Sequence, residues 1–259
     1  MLQQSLDAAQ CEGVYKVIVD VPPTSSIATL LRKCGFQEAN LTMAVGLSDA
    51  AGRCAGRGPI ASRSPDWCKS VPGVDGYVLR ELSSADESED YLALLRQLSQ
   101  APPIDGGVFL RQLERVRDSN GAHTIMVVTE APPPGALAER KTPDGRRLLG
   151  CATILFEWLP VCPLARGDTS SQCHRRGALV ARIEDVVVDS STRGLGLGRA
   201  LLRAVLDEAR ESGATCAMLN CSPANKAFYA KCGFACLPTG EVCFARYFAG
   251  RVPSHASMA

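Results

Sequence analysis

The sequence lacks a charge surplus: 28 lysines and arginines stand against 27 aspartates and glutamates, for a net charge of +1. That balance excludes the basic footprint of a nucleic-acid binder. No apolar run reaches the length of a membrane span. The N-terminal MLQQSLDAAQCEG also has neither the basic nor the apolar region of a secretory signal. The expectation is a cytoplasmic protein with no nucleic-acid and no membrane partner. Among the 12 cysteines there is no C-x-x-C pair, and Cys232 and Cys236 have no histidine nearby. No zinc site is implied, no metal is expected, and reduced, mostly buried thiols are the better reading. What is plentiful is apolar material, at 46% of 259 residues. That is ample for the core of one large domain, or of one domain with an appendage.

Chemistry concentrates in Ile183 to Gly198, IEDVVVDSSTRGLGLG. Ile183–Val188 is rich in β-branched residues and reads as a buried strand. Asp189-Ser190-Ser191-Thr192 breaks it, and Arg193-Gly194-Leu195-Gly196-Leu197-Gly198 opens a helix. Leu201, Leu202, Val205, Leu206 and Ala209 give that helix one apolar face. A glycine-rich turn between strand and helix bares backbone N–H groups at the positive end of the helix dipole, where a phosphate can sit. Arg193 adds charge. The string is neither a P-loop nor a Rossmann fingerprint, and an ordinary helix-entry turn is its bland alternative. Glu184 and Asp185 are neighbours in a strand and so are expected on opposite faces. A carboxylate in an apolar strand is costly unless paired, which favours a functional role for at least one.

A second block follows. Ala214–Asn220 reads as a strand, and Ser222-Pro223 has the form of a helix cap. Asn225-Lys226-Ala227-Phe228-Tyr229-Ala230-Lys231-Cys232-Gly233-Phe234 comes next. The I-E-D-V-V-V strand, the R-G-x-G-L-G turn and the N-x-x-F-Y-x-K-C-G-F block together resemble the glucosamine-6-phosphate N-acetyltransferases of the GNAT superfamily, over Gly76 to Phe248. The resemblance implies an α/β fold, a mixed central sheet with helices on both faces, and acetyl-CoA as co-substrate. It implies that Val186, Val187 and Val188 lie along the thioester, one backbone N–H acting as oxyanion donor. Arg193, Gly194, Leu195, Gly196, Leu197 and Gly198 would grip the pyrophosphate, and Asn225, Phe228 and Lys231 would complete the acetyl-CoA site. Tyr229 would protonate the departing thiolate, its alternative being a packing tyrosine. Glu184 and Asp185 would lie against the sugar and act in catalysis. Ser99, Asn220 and Arg246 would contact the substrate, Arg246 at its phosphate.

Earlier in the chain lies an internal repeat. Val14–Asp20 reads as a strand and Leu30–Phe36 carries LLRKCGF, followed by a strand reading at Leu41–Val45. Set against Ala214–Phe234, the two KCGF blocks coincide. Residues 9–47 therefore resemble the last strand–helix–strand of the same family, a β-α-β half-repeat that cannot bury its faces alone. The composition of 48–76, dense in Gly, Ala, Arg, Ser and Pro, reads as a linker, and 77–248 as the complete domain. Within it, strands are expected at Tyr77–Leu82, His123–Glu130 and Leu148–Trp158. Ser84 with Glu87 forms a capping box for a first helix. A second helix carries Phe109, Leu113 and Val116 and stops at Asn120-Gly121. Pro160–Gly177 is an irregular insertion.

The family pattern places Tyr-Lys and an acidic residue on the strand before the KCGF block. In the full domain those places hold Thr215, Cys216 and Asn220. The half-repeat has Tyr15, Lys16 and Asp20 there, and these are added to the substrate-binding candidates. The resemblance implies a homodimer or an intrachain pseudo-dimer acting on a small amino-sugar phosphate. Acetylation of another amine, and a non-catalytic acetyl-CoA-binding protein, stay open.

Overall fold

The β-branched run that dominates the sequence is the last six residues of a longer strand, Ala178–Val188, in a computed structural model of the chain. The structure describes residues 16–21, 25–33, 37–46, 68–71, 73–84, 88–98, 103–119, 121–131, 147–159, 178–236 and 242–247. The chain divides into two units, one of Val45–Met218 and one of Met1–Ala44 with Leu219–Ala259.

The first unit holds β3 (Cys68–Ser70), β4 (Tyr77–Glu81), α2 (Ser88–Leu95), α3 (Gly106–Arg117), β5 (His123–Glu130), β6 (Gly150–Leu159), β7 (Ala178–Val188), α4 (Leu197–Glu211) and the start of β8 (Cys216–Cys221). Strand order is β8-β7-β6-β5-β4-β3. Neighbours from β3 to β7 run antiparallel. The β7-α4-β8 crossover adds a parallel pair: Thr215, just before β8, donates its backbone N–H to Leu179, at the start of β7, over 2.8 Å. The sheet is mixed, as expected.

Alternation along the strands divides the side chains between two layers. On one face, Val127, Cys151 and Val187 join Leu82, Tyr91, Leu94, Phe109, Leu113 and Leu148 in a core beneath α2 and α3. Tyr91 and Phe109 meet there with ring centroids 6.0 Å apart. Asp105 caps α3 by accepting from the N–H groups of Gly107 and Val108 at 2.9 and 3.2 Å. On the other face α4 buries Leu201, Leu202, Val205 and Ala209 against β6 and β7. Each such side chain contributes about 1.5–3 kcal/mol by leaving water. A Cβ built on Gly150 would stand 3.2 Å from the Val187 carbonyl and 3.6 Å from Leu201. Glycine there lets α4 lie close to the sheet.

The second unit holds β1 (Lys16–Val21), α1 (Ser26–Lys33), β2 (Gln37–Gly46, shared at its end with the first unit), the Leu219–Cys221 end of β8, α5 (Lys226–Lys231), β9 (Ala235–Cys236) and β10 (Val242–Tyr247). β10 is antiparallel to β1 on one side and to β2 on the other, with a register shift at Cys243/Phe244. β9 pairs with β2.

Two observations stand beside the expected segments. The compact units have other bounds than 9–47, 48–76 and 77–248. Residues from Leu219 onward group with the N-terminal copy, because β10 forms its ladders with β1 and β2. The linker reading fails at Cys68–Ser70, which pairs with β4 as β3. The first helix is described over Ser88–Leu95, and the capping-box reading runs through residues 85–87, outside the described residues. Glu87 and the 160–177 insertion lie outside the described residues.

Candidate active site

The site begins with a fault in the β6–β7 ladder. Cys151 faces Val187, but the next described pair is Thr153 with Glu184, so β7 carries one residue more than β6 across this interval. The extra residue makes a β-bulge, and Asp185 takes the left-handed conformation at φ 52°. That backbone costs on the order of 1–3 kcal/mol in a non-glycine residue, and aspartate tolerates it better than most. The Cys151 thiol donates to the Asp185 carbonyl over 3.4 Å.

The bulge corrects the expectation for the two carboxylates. Glu184 and Asp185 need not alternate. Glu184 stands opposite Thr153 and is half-buried, while Asp185 is exposed. The charge of Asp185 is nonetheless felt on the α2/α3 side of the sheet. Burial first, with the charge of Asp185 adding to it, raises the Tyr91 phenol and the Cys151 thiol well above their usual ranges. Burial lowers the His123 imidazole, and Asp185 opposes that shift. Sequence reasoning missed His123; only the register places it, with Ile125 and Val127, on this face.

From Val188 the chain enters the glycine turn. Asp189 is 3% exposed and anchors it from within. Its carboxylate accepts from the Ser191 N–H at 2.9 Å, from the Ser191 hydroxyl, from Gln97 Nε2 at 2.9 Å and from Arg147 Nη2 at 2.8 Å. Gln97 also accepts the Ser190 N–H at 2.8 Å. Burial alone would raise the Asp189 pKa; the donors from Ser191 and Gln97, with the charge of Arg147, override it and bring the group down to about 2. Gln97 and Arg147 were not foreseen, since each is remote from Asp189 in sequence.

Beyond this anchor Gly194 and Gly196 adopt φ of 88° and 85°. A Cβ on Gly194 would meet nothing within 4 Å, and one on Gly196 only Val74 at 3.9 Å. Both glycines are therefore required by backbone conformation and not by crowding. Gly196 is the N-cap of the fifteen-residue α4 and supplies no side-chain hydrogen bond to it. The positive end of α4 is thus left to solvent or an anion, with Arg193, Gly194 and Leu195 exposed around it. Leu197 turns inward and is buried, and Gly198 is half-buried.

The remaining candidates lie in the second unit. Tyr229 is buried to 8% exposure on α5, its ring edge-on to Phe228 and Phe234 at 5.1 and 6.0 Å. Its carbonyl accepts from the N–H groups of Cys232 and Phe234, and Gly233 at φ 93° closes the helix. Phe228 and Lys231 are exposed on the same short helix, Asn225 is exposed just before it, and Asn220 is half-buried at the end of β8. Ser222 precedes Pro223 as foreseen, but its side chain makes no cap bond. The β1–β10 ladder sets Lys16 opposite Tyr247, Val17 opposite Arg246 and Asp20 opposite Cys243. Lys16 and Arg246 thereby occupy adjacent register positions. Tyr15 and Ser99 lie outside the described residues. In the family's Tyr-Lys places, Thr215 donates its hydroxyl to the Leu179 carbonyl over 3.1 Å, and Cys216 is fully buried.

Residues 108–234, which hold the bulged strand, the glycine turn and the uncapped helix end, match the Acetyltransferase (GNAT) family, and this sets the fold in the acetyltransferase class. Glucosamine 6-phosphate N-acetyltransferase 1 of Oryza sativa subsp. japonica is 33% identical over 167 residues, 64% of this chain and 86% of that protein. The Trypanosoma brucei brucei glucosamine 6-phosphate N-acetyltransferase is 36% identical over 129 residues, 48% of this chain and 87% of its own. A crystal structure of the Arabidopsis thaliana glucosamine-6-phosphate N-acetyltransferase aligns at 26% identity and a TM-score of 0.46, covering 61% of this chain and 90% of that one. The chain belongs to the glucosamine 6-phosphate N-acetyltransferase family.

Proposed function

We propose that the chain transfers the acetyl group of acetyl-CoA to the amine of D-glucosamine 6-phosphate, giving N-acetyl-D-glucosamine 6-phosphate and free CoA. The observation that carries this reading is the exposed, uncapped end of α4 behind Arg193, with Gly194 and Gly196 in left-handed conformations and Asp189 anchoring the turn. Those N–H groups suit a pyrophosphate, and the names of the relatives supply the amino sugar.

In this reading the amine attacks the thioester carbonyl, forming a C–N bond, and the C–S bond then breaks. A backbone N–H within Val186–Val188 stabilises the oxyanion, the bulge at Asp185 supporting this by taking the strand off its one-to-one ladder with β6. Glu184 and Asp185 hold the ammonium and accept its proton. Tyr229 gives its phenolic proton to the thiolate, a modest assist from a weak acid. Asn225, Phe228 and Lys231 hold the acetyl-CoA. Arg246 takes the sugar phosphate, with Lys16, Asp20, Asn220, Tyr15 and Ser99 as further contacts.

The assay is direct: full-length protein, acetyl-CoA, a panel of amines and thiol release. Glucosamine 6-phosphate is expected to turn over far faster than glucosamine, a polyamine or a peptide N-terminus. Preference for another amine would overturn the substrate. Asn220 in place of an acidic residue and the burial of Cys216 favour a second reading, a non-catalytic acetyl-CoA-binding protein. Binding without turnover of any amine would establish it.

A further inference from the structure

The two KCGF blocks, 33–36 and 231–234, equate β1 with β8, α1 with α5, and β2 with the β9–β10 segment. Packing respects the equation. Leu31 and Tyr229, each two residues before its block, are both buried, and the preceding Leu30 and Phe228 are both exposed.

The strand pairings then follow a reciprocal rule. β1, the first strand of the first copy, pairs with β10, the last strand of the second. β8, the first strand of the second copy, whose Leu219–Cys221 end belongs to this unit, stands next to β2, the last strand of the first. In the middle the two last segments run antiparallel to each other. The start of one meets the end of the other in both directions: Gln37 faces Ala245, and Ala235 faces Ala44. Each copy's final strand thus lies beside the first strand of its counterpart. That is the pattern of an isologous interface between identical subunits, in which residue i meets j and j meets i. Here both halves are written into one polypeptide.

We infer that Lys16–Gly46 fills, within the chain, the place that a second copy would take at a two-fold strand-exchange interface. One chain is then a self-contained pseudo-dimer. The edges of β10, which would otherwise template pairing with another chain, are satisfied internally. The half-repeat is a built-in partner, and this surface is closed to a second copy.

Photo-crosslinking of the full-length chain tests this. A benzophenone amino acid is placed in turn at Val19 and Asp20, opposite Phe244 and Cys243, so that both faces of β1 are sampled. Light and ¹⁵N-labelled protein are mixed in equal amounts before irradiation, and cross-linked peptides are read by mass spectrometry. Crosslinks to 242–247 are expected almost wholly within one isotope, with monomeric sedimentation. Crosslinks joining light and heavy chains at the statistical proportion would overturn the inference by making the pairing intermolecular. Folded protein of either variant with no crosslink to 242–247 at both positions would overturn it by removing the β1–β10 ladder. Benzophenone at Leu41, opposite Val242 on the other edge of β10, repeats the test should substitution in β1 impair folding.

Discussion

The helices α1 and α5 each lead into a KCGF block, and one carries a candidate catalytic group while the other does not. Leu31 and Tyr229 occupy the same buried position, at 2% and 8% exposure. Both helices also leave a large apolar residue in solvent one position earlier, Leu30 and Phe228. The packing role is therefore shared. The difference is an aliphatic side chain against a phenol, together with Asn225 where the first copy has Ile27. A fold position can outlive a chemical role, because burial needs only an apolar body of about the right size. The two copies also differ upstream. The second follows the Asp189 anchor and the glycine turn.

The largest effect is expected where the first copy is read as integral to the fold. Leu31→Ala should cost about 2–5 kcal/mol of stability, the range for truncating a fully buried leucine. Chemical denaturation giving an unchanged midpoint would mean that α1 is an ornament. Next, Gly196→Asp would put a carboxylate at the mouth of α4 and a Cβ on a residue at φ 85°. Acetyl-CoA affinity should fall about a hundredfold, or about 2.7 kcal/mol. Calorimetry finding parental affinity in a folded variant would remove the phosphate-turn assignment.

The anchor gives a prediction in pH. Asp189 titrates at about 2 in the folded chain against an ordinary 3.8. Because the folded value is depressed, its stabilisation is fully present above the unfolded pKa and is lost as pH falls through about 2. The stake is about 2 kcal/mol. Asp189→Asn should start less stable at neutral pH and lose correspondingly less between pH 4 and 2; parallel curves for the two proteins would contradict the anchor. The smallest effect separates α5 from α1. Tyr229→Phe keeps the ring and removes the hydroxyl, so turnover should drop about tenfold, near 1.4 kcal/mol, with acetyl-CoA affinity and stability little changed. Unchanged turnover at every pH would make Tyr229 a packing residue like Leu31.

Sequence alone determined the local grammar of the chain. His123–Glu130 reads to the residue as a strand because its β-branched run is bounded by Asn120-Gly121 on one side and Pro132 on the other. The apolar face of α4 and the glycines that begin it are legible for the same reason: periodicity and left-handed turns are set within a few residues. The KCGF repeat is legible by self-comparison. What tertiary structure decided is everything that depends on register across the sheet. The bulge at Asp185 exists only as a mismatch between β7 and β6, so alternation along β7 alone pointed the two carboxylates to opposite faces. The Gln97–Asp189–Arg147 anchor joins residues 92 and 42 positions apart in sequence. The ladder that sets β10 between β1 and β2 overrides the continuity of the 77–248 segment. A strand's propensity is local, but its hydrogen-bonding edge can be satisfied by any strand that the rest of the chain brings beside it.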